Sequence, residues 1–124
     1  MKIITSPDVP LPAGHYSQAV EAAGLVFVSG MLPTGNNQPP KSFDAQAYSA
    51  LDQCAAVLAA AGCSFSDVVQ CTVYVVGVEQ WPAFNRVYAE RFGSHKPSRV
   101  VVPVPALHHG FLVEVQMIAK ARTT

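Results

Sequence analysis

Hydrophobic residues change their spacing repeatedly along this chain, and the order of the changes leaves few ways to fold it. Ala47, Leu51, Cys54, Leu58 and Ala61 recur at intervals of four, three, four and three, which lines one face of a helix. Ser42 or Asp44 can cap its start, and Gly62 closes it after the alanine run. A second helix is expected over Glu79–Phe92, where Pro82 fits only the first turn and Phe84, Tyr88 and Phe92 share a stripe. Around the helices the pattern is extended. Lys2–Thr5, Tyr16–Val20, Leu25–Ser29, Asp67–Val76, Val100–Val104 and Leu112–Ala121 read as strands, with Gly24 breaking the second from the third. Pro7, Pro10 and Pro12 keep the start extended, and Met31–Ser42, with Pro33, Gly35, Pro39 and Pro40, is expected to be a loop. Strands, loop, helix, strand, helix, strands: helices segregated onto one side of a mixed sheet suit that order, an α+β fold. No repeat or composition break interrupts 1–124, so a single domain is expected.

Charge is scarce. Asp, Glu, Lys and Arg make up 13% of the chain, with 8 acidic and 8 basic residues, against roughly 25% in an average soluble domain. There is no Lys/Arg excess, which argues against a nucleic-acid partner. No run approaches the ~20 apolar residues of a membrane span, and MKIITSPDVPLP does not read as a secretory signal. A surface so poor in charge favours association with further copies of the chain. Three cysteines without a CxxC suit a reducing compartment, hence a cytoplasmic location, and argue against a disulfide framework or a zinc site. Cys54 and Cys71 read as small buried hydrophobes.

Two charges sit among apolar neighbours. Arg99 opens RVVVPV, and Glu114 lies inside FLVEVQMIA. A buried unpaired charge costs several kcal/mol, so each needs a partner or a ligand. Either the two pair across strands, or they form a site in which a guanidinium grips a carboxylate and a carboxylate handles protons. Tyr16, after Gly14 and His15, is either a packing residue or a hydroxyl offered to a ligand. Ser29–Gly30 ends a strand as a simple turn or as a place for close backbone approach. Asn85 either links its helix to a loop or faces solvent. His108, His109 and Gly110 read as a polar turn, and His95 as loop. No metal cluster, phosphate loop or dinucleotide fingerprint occurs.

GHYSQAV, LVFVSGMLP, WPAFNRVYAERF, KPSRVVVPV and GFLVEVQMIA, in that order and spacing, resemble the RidA/YjgF family of reactive-intermediate imine deaminases, from Pro12 to Ala119. The resemblance implies a chorismate-mutase-like sheet with two helices on one face. It implies a homotrimer with active sites between subunits, no metal or organic cofactor, and hydrolysis of small 2-imino acids to 2-keto acids and ammonia. By position it assigns carboxylate gripping to Arg99 and the acidic role to Glu114. It also brings Tyr16, the pair Ser29 and Gly30, and Asn85 into the site. Val101, also placed in the site, stands where many members have cysteine: valine costs little if only the backbone carbonyl there touches the water, and makes the chain slower if the thiol matters; His15 stands where many have proline. Ribonuclease activity has also been attached to the family, and zero net charge argues against it here. Other implied readings are a deaminase dedicated to one pathway, such as one for 2-aminomuconate, and a non-catalytic trimer that binds 2-keto acids.

Overall fold

In the computed structural model, which describes residues 1–33 and 42–122, eight regular elements follow the expected order. They are β1 (Lys2–Ile4), β2 (Ala19–Ala22), β3 (Leu25–Met31), α1 (Phe43–Ala60), β4 (Val68–Val76), α2 (Trp81–Phe92), β5 (Ser98–Val104) and β6 (Val113–Lys120). One sheet runs β1-β2-β3-β6-β4-β5. Only β4 and β5 are parallel, joined by α2, and the other described pairs are antiparallel.

Alternation on the strands decides where the core lies. Val113, Val115, Met117 and Ala119 of β6 are buried, as are Val26 and Val28 of β3 and Cys71, Val73 and Val75 of β4. These face the helices. Ala47, Ala50, Leu51, Cys54, Val57 and Leu58 of α1 fill the same layer, with Phe84, Val87, Tyr88 and Phe92 of α2. Ser42 caps α1 by accepting from the Ala45 amide, and Gly62, at φ +79°, ends it. The outer sides of the helices are tied by exposed ion pairs, Arg86 to Asp44 and Arg91 to Asp52, of the kind that adds at most about 1 kcal/mol each. Among the described residues no helix covers the opposite face of the sheet. Phe27, Ile118, Tyr74, Val100 and Val102 lie there, each part-exposed or exposed, and Glu114 stands among them.

The second strand lies later than expected, at Ala19–Ala22 rather than Tyr16–Val20. Gln18 explains the shift: its side chain accepts from the Ser6 amide and donates to the Ser6 and Pro10 carbonyls. That buried amide ties the proline-rich start to the sheet, and residues 14–17 become a loop. Ala23 and Gly24, both at positive φ, then make the two-residue hairpin to β3. The third strand runs past Ser29 to Met31, so the expected loop starts later, and its residues 34–41 lie outside the described residues. Asp67 belongs to a single 3-10 turn before β4, and Val78–Gln80 to another before α2. All three cysteines are free and buried. Desolvation pushes the Cys71 thiol up to about 12, as befits a packing residue and not a nucleophile. Among the described residues no helix is long and apolar enough to cross a membrane.

Leu51 is fully buried between helix and sheet. Leu51→Ala is expected to cost about 2–5 kcal/mol, seen as a lower urea midpoint at fixed protein concentration.

Candidate active site

Glu114 owes its position to a fault in the ladder beside it. Val28 pairs with Met117 and Met31 with Val115, so Ser29 and Gly30 together oppose Gln116. This is a β-bulge, two residues against one. The extra residue resets the alternation, so Val28 and Met31 both stay buried on the helix side while Ser29 and Gly30 fall on the open side. A Cβ on Gly30 would lie 2.7 Å from Glu114 Oε2. The carboxylate therefore occupies the volume that any other residue at position 30 would fill. Ser29 is anchored by its Oγ donating to the Ser17 carbonyl at 2.7 Å, and its amide donates to the Gln18 carbonyl. Its hydroxyl oxygen keeps acceptor capacity toward the site.

Tyr16, Ser29, Gly30, Leu32, His108 and Glu114 line one cavity of about 430 Å³. Tyr16 is 55% exposed, in the loop before β2, with exposed His15 beside it. Burial raises the Glu114 pKa, and the nearby His108 opposes that rise. Half-buried carboxyls with raised pKa values are better proton acceptors than free ones. His108 belongs to a 3-10 turn over His108–Gly110 that runs directly into β6. The turn expected there is present, and its first histidine lies at the Glu114 cavity, which local pattern does not report. The available signal was an adjacent histidine pair six residues ahead of the only charge within the β6 apolar run.

Arg99 lies elsewhere. It pairs in register with buried Cys71, so it points to the helix side. Its Nη1 donates to Asn85 Oδ1 at 3.0 Å, and the guanidinium lies 4.7 Å from the Tyr88 ring centroid and 5.8 Å from that of Trp81. An aromatic shelf of this kind holds a guanidinium flat and leaves donors free for a planar anion. Asn85, Tyr88, His95, Lys96 and Arg99 line a second cavity of about 470 Å³. The His95 ring is fixed by a 2.8 Å hydrogen bond between Nε2 and the Val68 carbonyl. Val101, two residues on, packs its side chain against the core and lines neither cavity.

Cross-strand pairing of Arg99 with Glu114 is therefore overturned. Strand β4 separates their strands, two spacings or about 10 Å, and the two side chains leave opposite faces of the sheet. Tyr16, Ser29, Gly30 and Glu114 come together, Arg99 comes together with Asn85, and each group has its own cavity. Among the described residues no cluster of His, Cys, Asp and Glu could hold a metal ion.

Residues 6–121 match the family model described as Endoribonuclease L-PSP. A RutC family protein of Pyrococcus horikoshii is 38% identical over 122 residues, 95% of this chain and 96% of that protein. A 2-iminobutanoate/2-iminopropanoate deaminase of Bos taurus is 36% identical over 121 residues, 95% of this chain and 88% of that one. Among solved structures, Escherichia coli TdcF with bound serine superposes with a TM-score of 0.93 at 30% identity, covering 99% of this chain and 100% of that one.

Glu114 ionises at a cost to folding. A carboxyl whose pKa is raised in the folded state binds its proton more tightly there. The cost is absent below the unfolded pKa and complete above the folded one. Glu114→Gln is therefore expected to melt above the wild type at pH 7, with the gap closing as pH falls through the carboxyl's titration. A variant melting lower at pH 7 would show that a partner stabilises the carboxylate. Gly30→Ala is expected to keep the fold, because the clashing atom ends a flexible side chain, but to displace the carboxylate. The check is the carboxyl ¹³C signal of residue 114, which should shift while the melting temperature stays nearly unchanged.

Proposed function

Because the chain belongs to the RidA/YjgF family, we propose that it hydrolyses small 2-imino acids to 2-keto acids and ammonia. The observation that carries this reading is the Glu114 carboxylate over Gly30, half-buried and open to a cavity. The mammalian relatives named as 2-iminobutanoate/2-iminopropanoate deaminases support it, and so does serine bound in the TdcF structure, a ligand with the carboxylate of an imino acid.

The chemistry needs few groups. The iminium carbon is already electrophilic. Arg99 takes the substrate carboxylate in two charge-assisted hydrogen bonds, while Asn85 and the rings of Tyr88 and Trp81 hold the guanidinium. Glu114 accepts a proton from water as the water oxygen bonds to the imine carbon, and the C=N π pair moves to nitrogen. That proton then passes from Glu114 to the nitrogen of the carbinolamine. The C–N bond breaks with its electrons leaving on ammonia. As the keto group forms, the hydroxyl gives its proton to the Glu114 carboxylate, from which ammonia or solvent removes it. Tyr16 and Ser29 bind the water or the nitrogen from the rim.

The reading includes assembly. Arg99 and Glu114 serve opposite faces of one sheet, so a complete site takes the Arg99–Asn85 side from one copy and the Glu114–Tyr16 side from another. The helix-free face, with Phe27, Ile118 and Val100, supplies apolar surface for a homotrimer. A non-catalytic trimer that binds keto or amino acids is the other reading, favoured by the bound serine in TdcF.

A threonine dehydratase that releases 2-iminobutanoate tests both. The protein is expected to accelerate 2-ketobutyrate formation. Arg99→Ala should abolish the acceleration together with 2-ketobutyrate binding. Glu114→Gln should keep binding and lose roughly 10²–10⁴-fold in rate. Calorimetric binding without acceleration would establish the non-catalytic reading, and a monomer mass by light scattering would overturn the shared site.

A further inference from the structure

We propose that His108, at the rim of the Glu114 cavity, is a positioning residue that favours the ionised form of that carboxylate under acid conditions. This rests on the deaminase reading, because it assigns a means by which that same carboxylate is kept ready.

Placement comes first. His108 lines the Glu114 cavity with Tyr16, Ser29, Gly30 and Leu32, and among the described residues no lysine or arginine lines it. Its ring stacks on His109, centroids 4.5 Å apart and planes 14° from parallel. That stack depends on His109 standing at φ +60°, followed by Gly110 at φ +73°. A non-glycine residue in the left-handed region costs of order 1 kcal/mol and persists where its surroundings hold it. Here the Phe111 amide closes the turn onto the His108 carbonyl at 3.2 Å, and β6 begins two residues later. The histidine turn is thus joined rigidly to the strand that bears Glu114. Neither imidazole makes a hydrogen bond to another described residue, so the His108 nitrogens remain available to the cavity.

Electrostatics agrees with placement. Among the described residues, the titratable groups facing Glu114 are Tyr16 from the N-terminal loop, Tyr74 as its register partner on β4, and His108 from the turn, with His109 behind His108. Of these only a histidine becomes a cation. Burial disfavours the charged carboxylate, and His108 is the group that works against it. Histidine is the side chain that gains charge on the acid side of neutrality, so its attraction acts in the direction in which burial would otherwise cost Glu114 its charge.

The test uses the full chain with ¹³C-labelled glutamate, the Glu114 signal being assigned by its loss in Glu114→Gln. His108→Gln is expected to move the Glu114 carboxyl midpoint to higher pH, and His109→Gln to move it less. In the imine assay, His108→Gln should shift the acid limb of kcat/KM in the same direction. The rate should fall several-fold near pH 5.5 and remain unchanged near pH 8, because the plateau depends on Glu114 alone. An unmoved midpoint, or a rate loss equal at all pH values, overturns the proposal. A wild type that turns over no imine overturns the deaminase reading instead, while a moved carboxyl midpoint would still support the coupling of His108 to Glu114.

Discussion

A carboxylate can stand on an apolar sheet only if a neighbouring strand makes room for it, and in this molecule the room is one missing side chain. Gly30 leaves the volume that Glu114 Oε2 occupies, and the bulge at Ser29–Gly30 turns that volume toward the open face. Both parts are needed. Without the extra residue, strand parity would turn Gly30 into the core and Met31 out to solvent. With it, Met31 seals the helix side and Ser29, tied to the Ser17 carbonyl, fixes the bulge from behind. Strand β6 between β3 and β4 then gives Glu114 a backbone held on both sides.

The same sheet separates the site's two charges. Arg99 rests on Tyr88 and Trp81 and is held by Asn85, all from α2, and its strand is an edge of the sheet. Glu114 rises from the other face, where no helix packs. In one chain each charge escapes the cost of full burial by opening onto its own cavity. On the proposed reading, association supplies what a single chain cannot: an anchor and a base on either side of one small ligand. On that reading the scarcity of charge has a use, because a face rich in Phe, Ile and Val and nearly free of Lys and Glu is suited to another copy.

Much of this was legible in the residues. The four-three spacing of α1, the aromatic stripe of α2 and the β-branched runs gave every element and its order. Arg99 and Glu114 stood out because charge is expensive in such company. Three things were not legible. The shift of β2 depends on Gln18, whose amide bonds span 12 residues to Ser6, a distance no local pattern reports. The bulge reads locally as the end of a strand, since Ser-Gly is an ordinary turn pair, and only the register against β6 reveals it. The partners of Arg99 and Glu114 depended on strand order. Two successive strands, β5 and β6, would pair by default, and it is the insertion of β4 between them that keeps the two charges apart.

The histidine turn shows how a local reading can be correct and incomplete. His108, His109 and Gly110 do form a turn, as polar residues before a strand should. What local pattern omits is the side of the sheet against which a turn folds. Because β6 places Glu114 on the open face, and only Phe111 and Leu112 separate the turn from β6, the first imidazole comes to the carboxylate's own cavity. Imine hydrolysis requires little bond-making power from a protein, since the carbon is already activated. Its demand is for one carboxylate that is basic enough to take a proton from water and still ionised when the substrate arrives. Burial supplies the first property and endangers the second. On the proposed reading, an imidazole at the cavity rim reconciles them, because histidine is the side chain that gains charge on the acid side of neutrality.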